Sequence, residues 1–325
     1  MPNERIANVI GLGLIGGSIS LALRRSGFVV WGSDTAGGVA SDALARGIID
    51  RVGLSPDAGI SFVATPVNTV ATSVREALDA TRGVVTDVGS VKAVAAAGTT
   101  DPRYVPGHPM AGSELHGLDG ADASMFEAAV WVLTPTDFSS DDAFNLVAET
   151  VTRFGAEVVA LKPAQHDDLV AMVSHVPHLT AATLMGLADE RSEEHLALLR
   201  LAAGGFRDMT RIASGSPAIW LDICEQNRAA IVDGLDGLIA GLSEMRDIVD
   251  RADRPALHER LERARVARMN LPVRAGAIEN LAEMRIPIPD RPGAAADVLK
   301  HLLDTGEYGD AQSVGGVTTY RRLKP

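Results

Sequence analysis

Gly11, Gly13 and Gly16 stand in the pattern Gly-x-Gly-x-x-Gly, directly after an apolar run at 6–10 and directly before a helix-like stretch at 15–26. Few chain paths accommodate that order. The first glycine permits a tight turn from strand to helix, the second lets a ligand approach the backbone, and the third lets the helix pack closely on the strand. The start of the helix then presents unpaired N–H groups and the positive end of its dipole, which suit a diphosphate. Asp34 follows a second apolar run at 28–31. A carboxylate at that place accepts bonds from ribose hydroxyls and repels a 2'-phosphate. The pattern therefore predicts an α/β, doubly wound dinucleotide-binding (Rossmann) domain that uses NAD rather than NADP. Gly11, Gly13, Leu14, Ile15, Gly16, Asp34, Thr65 and Ser90 are its expected cofactor contacts.

The rest of the first half continues the rhythm of that turn. Short apolar runs at 60–64, 84–87, 104–106, 130–133 and 157–159 alternate with amphipathic stretches at 68–80 and 141–154, as in parallel strands joined by crossover helices. Asp141 or Asp142 is the expected cap of the last helix. Beyond Lys162-Pro163 extended runs give way to helical spacing, notably at 219–248 and 255–269. Ile231, Leu235, Leu238, Leu242, Met245 and Ile248 form a stripe on a single long helix, which predicts a homodimer through the helical domain. The expected divisions are 1–161, 162–284 and 285–325.

Composition narrows the partners. The net charge of -12 gives no general attraction for nucleic acid or for anionic lipid. No stretch is read as a spanning helix, and no export signal is read at the start. Cys224, the only cysteine, excludes intramolecular disulfides and fits a cytoplasmic protein. His166, His175 and His178 could be read as metal ligands with Asp167 and Asp168 nearby. Pro177 stands between the last two, and no metal is expected.

Two polar segments follow predicted strands, where ligands of open α/β sheets bind. They are Asp87-Val88-Gly89-Ser90-Val91-Lys92 and Gly107-His108-Pro109-Met110-Ala111-Gly112-Ser113-Glu114. With the glycine turn, with His166-Asp167 and Ser174-His175-Val176-Pro177-His178, and with the block from Phe206 through Arg211 to Trp220, the chain resembles the prephenate and arogenate dehydrogenases of tyrosine biosynthesis. That resemblance implies that His108 is the catalytic histidine and that Ser90 hydrogen-bonds it. It also implies that Arg211 binds a substrate carboxylate, and that His178, Ser174, His166, Ser113 and Trp220 line the substrate pocket. The implied reaction is the NAD-dependent oxidative decarboxylation of prephenate, with arogenate as the alternative substrate. The segment at 288–293 is similar to the opening of an ACT regulatory domain, and 285–325 is short enough to be a truncated remnant of one.

Two rival readings are weighed. A β-hydroxyacid or imine-type dehydrogenase would carry a lysine on a glycine-flanked helix, and none of Lys92, Lys162, Lys300 and Lys324 stands in such a motif. A nucleotide-sensing binding protein would keep the glycines without Ser90, His108 and Arg211.

Overall fold

The first strand, β1 (Arg5–Ile10), is mostly apolar and lies in the middle of a parallel sheet. The computed structural model describes residues 5–113, 115–194 and 197–271, and the strand backbones at 281–285, 309–314 and 317–323. The chain forms two units, Met1–Asp167 with Ile278–Pro325, and Asp168–Ala277.

In the first unit β1 leads into α1 (Leu14–Arg25), β2 (Phe28–Ser33), α2 (Val39–Ala45) and β3 (Arg51–Val52). The chain then returns through β4 (Ile60–Val63), α3 (Val70–Ala80), β5 (Val84–Asp87), α4 (Ala93–Ala96) and β6 (Tyr104–Val105). These strands pair in parallel in the order β3-β2-β1-β4-β5-β6. The strand order reverses between β1 and β4. A crevice opens beyond the carboxyl ends at such a point, and the glycine turn and Thr65 are the residues that follow those two strands.

The chain does not stay in one sheet. After Pro106 it enters a second one through β7 (Gly107–Pro109), which pairs antiparallel with β8 (Val130–Leu133). A helix, α5 (Asp141–Arg153), leads to β9 (Glu157–Ala160), parallel to β8. His108 therefore sits within a strand, where the sequence placed it in the loop after one. The cap of α5 also differs: Ser140 accepts the Ala143 N–H at 3.2 Å, while Asp141 and Asp142 occupy the first turn and favour its dipole. Phe62 of β4 and Trp131 of β8 meet edge to face at 6.2 Å, with Phe126 and Phe154 against Trp131, so an aromatic cluster joins the two sheets. Such pairs add about 1 kcal/mol each beyond the area they bury.

The strand backbones near the C-terminus, which become β10 (Leu281–Arg285), β11 (Gly309–Val314) and β12 (Val317–Leu323), extend the second sheet in the order β10-β12-β11-β9-β8-β7. The ACT-like segment expected at 288–293 lies outside the described residues.

Helix α6 (Pro163–Val170) is followed by a π turn at Ala171–His175 and by α7 (Val176–Glu194). Pro177 lacks the N–H of an ordinary helical bond, and its ring crowds the carbonyl four residues back, which a wider turn relieves. The proline thus widens the helix where the sequence expected an interruption. An 18-residue window within Pro163–Ser192 reaches a mean hydropathy of 1.3, so one stretch does have the length and composition of a spanning helix, contrary to the sequence reading. His166, Asp167, His175 and His178 on that stretch are buried.

The second unit continues with α8 (Gly204–Thr210), α9 (Pro217–Gln226), α10 (Arg228–Asp250) and α11 (Arg254–Met269). The single helix expected across 219–248 is broken at Asn227, whose φ of -109° and ψ of 29° leave the helical region. The Asn227 amide instead meets His175 Nδ1 at 3.2 Å. The predicted stripe is divided as well. Ile231 and Ile248 are buried, whereas Leu242 is 58% exposed.

Candidate active site

The glycine turn has the shape that a dinucleotide requires. Gly11 has φ +91°, and a Cβ there would lie 2.5 Å from the Ala64 carbonyl oxygen. A Cβ on Gly16 would lie 1.8 Å from the Gly11 oxygen, so only glycine lets α1 start this close to β1. Gly13 differs, because a Cβ there would meet nothing within 4 Å. The space beside it belongs to no protein atom, as expected where a pyrophosphate approaches the backbone. Leu14, Ile15 and Gly16 form the first turn of α1, so their N–H groups have no partners within the helix. Asp34 is fixed beside the turn, accepting the Leu12 N–H at 2.7 Å and the Ala36 N–H at 2.8 Å. Each carboxylate oxygen retains a lone pair for a hydroxyl. Thr65 Oγ1 lies 3.4 Å from Ser73 Oγ, at the end of β4. These residues fit NAD.

The second feature is a chain of buried polar groups behind His108. His108 Nδ1 lies 2.9 Å from His166 Nε2, and His166 Nδ1 lies 2.8 Å from Asp167 Oδ1. The Asp167 carboxylate also accepts the backbone N–H groups of Lys92 and Ala93, each at 2.8 Å, and thereby caps α4. Proton positions follow from this acceptor. A carboxylate can only accept, so His166 carries its proton on Nδ1. Burial holds His166 below the ordinary imidazole range against the opposing pull of Asp167, and the nearby Lys92 charge lowers it further. Neutral His166 then offers the lone pair of Nε2 to the Nδ1–H of His108. That arrangement puts the lone pair of His108 on Nε2, in the form of a general base.

This geometry brings some of the implied residues together and leaves others apart. Ser90 makes no side-chain hydrogen bond among the described residues, and the partner of His108 is His166. Both ring nitrogens of His166 are engaged, and the ring stands behind His108. Ser113 is exposed, and its hydroxyl accepts the Leu115 N–H at 3.3 Å.

In the second unit His178 stacks on Trp220 at 3.5 Å between ring centroids and 12° between planes. His175 meets the same indole edge to face at 6.0 Å. Burial lowers the pKa of His178, so the stack contains a neutral ring. Ser174 lies half-buried in the π turn, and exposed Arg211 opens the short turn Arg211–Ser214 that leads to Gly215 beside the stack. Asp167, Lys92 and Asp87 stood in the quoted segments without a role of this kind, and Tyr104 only in an apolar run. They are polar and wholly or almost wholly buried, and no local periodicity reports that.

A nucleotide cradle after β1 and a proton-ordered histidine on β7 define a dinucleotide-dependent dehydrogenase. Comparison with known proteins makes the class particular. Residues 19–160 match the prephenate dehydrogenase nucleotide-binding domain, and residues 162–263 match the prephenate dehydrogenase dimerization domain. The prephenate dehydrogenase of Bacillus subtilis is 35% identical over 306 residues, covering 89% of this chain and 82% of the relative. A crystal structure of prephenate dehydrogenase from A. aeolicus, in complex with hydroxyphenyl propionate and NAD+, superposes with a TM-score of 0.77 at 28% identity, over 83% of this chain and 99% of that one. Synechocystis arogenate dehydrogenase superposes with a TM-score of 0.71, also at 28% identity, over 81% of this chain and 98% of that one. The chain belongs to the prephenate dehydrogenase family, and it is an oxidoreductase built on a nucleotide-binding domain.

Proposed function

We propose that the protein oxidises prephenate with NAD, giving 4-hydroxyphenylpyruvate and carbon dioxide on the route to tyrosine. The observation that carries this reading is the ordered chain from Asp167 through His166 to His108, which supplies a base for a hydroxyl proton. Bound NAD supplies the acceptor for the hydride that leaves the carbon bearing that hydroxyl. His108 Nε2 takes the hydroxyl proton as the carbonyl forms; the electron pair freed when the ring carboxylate departs as carbon dioxide completes the aromatic ring and places charge on the ring oxygen, which takes the proton back from His108 to give the phenol. Since aromatisation drives the reaction forward, the remaining residues mainly hold and orient. The Ser90 hydroxyl is assigned to the substrate hydroxyl and the cofactor. Arg211, as a planar fork, is assigned to a carboxylate. His178, Trp220, Ser174 and Ser113 are assigned to the remaining substrate contacts.

Arogenate, with an amino group in place of the side-chain keto group, is the second candidate, supported by the likeness to the Synechocystis enzyme. The test is the rate of nicotinamide reduction with each substrate and each of NAD and NADP. Prephenate with NAD is expected to be fastest. A faster rate with arogenate would replace the substrate, and no reduction with either would overturn the reading.

The functional form is proposed to be a homodimer through the helical domain, in a reducing cytoplasm that suits the lone Cys224. Val232, Ile239, Leu242 and Val249 of α10 are exposed and share one helix face at seven- and three-residue spacing. That face shares only Leu242 with the stripe read from sequence, whose ends, Ile231 and Ile248, are buried within the chain. Replacing Ile239 and Leu242 together by Glu is expected to reduce the sedimentation mass from two chains to one. A parent protein that sediments as one chain at micromolar concentration would refute the dimer. We retain 1–161, 162–284 and the truncated ACT-like 285–325 as the proposed domain limits.

A further inference from the structure

Lys92 is fully buried, yet nothing in the proposed chemistry uses it. Its ammonium donates to Asp87 Oδ2 and, at 2.7 Å, to the carbonyl oxygen of Gly107, the residue before His108. Its backbone N–H donates at 2.8 Å to Asp167 Oδ1, the oxygen that also meets His166 Nδ1. One residue thus holds the strand that carries His108 and also the carboxylate that sets the proton of His166. Asp87 is equally well held, accepting the Tyr104 hydroxyl at 2.8 Å and the Gly89 N–H at 2.9 Å. Gly107 is packed so tightly that an added Cβ would lie 3.0 Å from Trp131 Nε1 and 3.1 Å from the Asp87 carbonyl oxygen. Its carbonyl therefore has little room to turn.

We infer that Lys92 is a positioning residue for the reaction, fixing His108 by its ammonium and the His166–Asp167 pair by its backbone, so that the lone pair of His108 stays on Nε2. The inference rests on the reading of His108 as the base. A buried charge pair adds little net stability, and a hydrophobic replacement of both partners can be neutral, whereas removal of one partner strands the other charge. A role confined to stability would therefore allow the pair to be replaced without loss of turnover. A positioning role would not, because the bond to the Gly107 carbonyl disappears with the ammonium.

The test uses the full chain with Lys92→Met alone and with Lys92→Met combined with Asp87→Asn, which balances the charge if the single variant does not fold. Two readouts are taken: steady-state kinetics with prephenate and NAD, and nitrogen NMR of the His108 ring in the protein without ligands. In the balanced variant turnover is expected to fall about a hundredfold, the loss that follows a misplacement of about 1 Å. The KM for NAD and the melting midpoint should stay close to those of the parent, while His108 changes from the Nδ1–H form to a mixture of tautomers. Turnover and tautomer both unchanged would overturn the inference, as would a balanced variant that melts far below the parent. If the parent itself reduces no NAD with prephenate, the proposed reaction fails, and the tautomer readout still decides the role of Lys92.

Discussion

His108→Asn is expected to lower turnover by ~10²–10⁴-fold, the usual contribution of a positioned general base, and to leave NAD binding unchanged. The substitution is informative because an asparagine amide can replace the Nδ1–H of His108 as donor to His166 Nε2, so the chain through His166 to Asp167 survives. What disappears is the ring lone pair on the far side. The dependence on pH should change with it. A base works when unprotonated, so parent kcat/KM must fall as acid protonates His108, and the residual rate of the variant should lack that acid limb. Measurement of kcat/KM across pH, with calorimetric NAD binding beside it, checks both halves. A variant that retains turnover within about threefold of the parent would remove His108 from the role of base.

The legible part of this protein is the part whose signals are local. The strand at Arg5–Ile10, the glycines after it and Asp34 after β2 are adjacent in sequence to the elements they serve, so spacing alone placed them. The same holds for α11, expected at 255–269 and found at Arg254–Met269. The turn at Pro106 was legible only as the end of a strand. Nothing nearby announces that the next three residues join a different sheet, because the antiparallel partner, β8, lies far along the chain. The break at Asn227 was hidden for a related reason: apolar spacing continues on either side of it, and His175, which the Asn227 side chain meets, belongs to a distant helix. The proton chain was hidden most completely. His166, Asp167 and Lys92 were visible as residue types, but their meaning depends on contacts that cross from one strand end to another and on burial that raises the energetic weight of each bond.

The glycine turn supports a second large effect, and two positions three residues apart separate ligand binding from folding. Gly13→Ala is expected to leave the melting midpoint of the ligand-free protein almost unchanged, because φ of -80° and ψ of -158° suit alanine and the new Cβ meets no protein atom within 4 Å. NAD affinity should nevertheless fall at least about tenfold, or about 1.4 kcal/mol, since the methyl group takes the space through which the diphosphate approaches the backbone. Gly16→Ala should behave in the opposite way. Its Cβ would fall 1.8 Å from the Gly11 oxygen, so α1 must move off β1, and the ligand-free protein should lose about 3 kcal/mol. Thermal melts and calorimetric titration of both variants distinguish the cases. If Gly13→Ala binds NAD as well as the parent does, the diphosphate does not lie against that backbone, and the assignment of the cofactor to this turn fails, even though the fold around it stands.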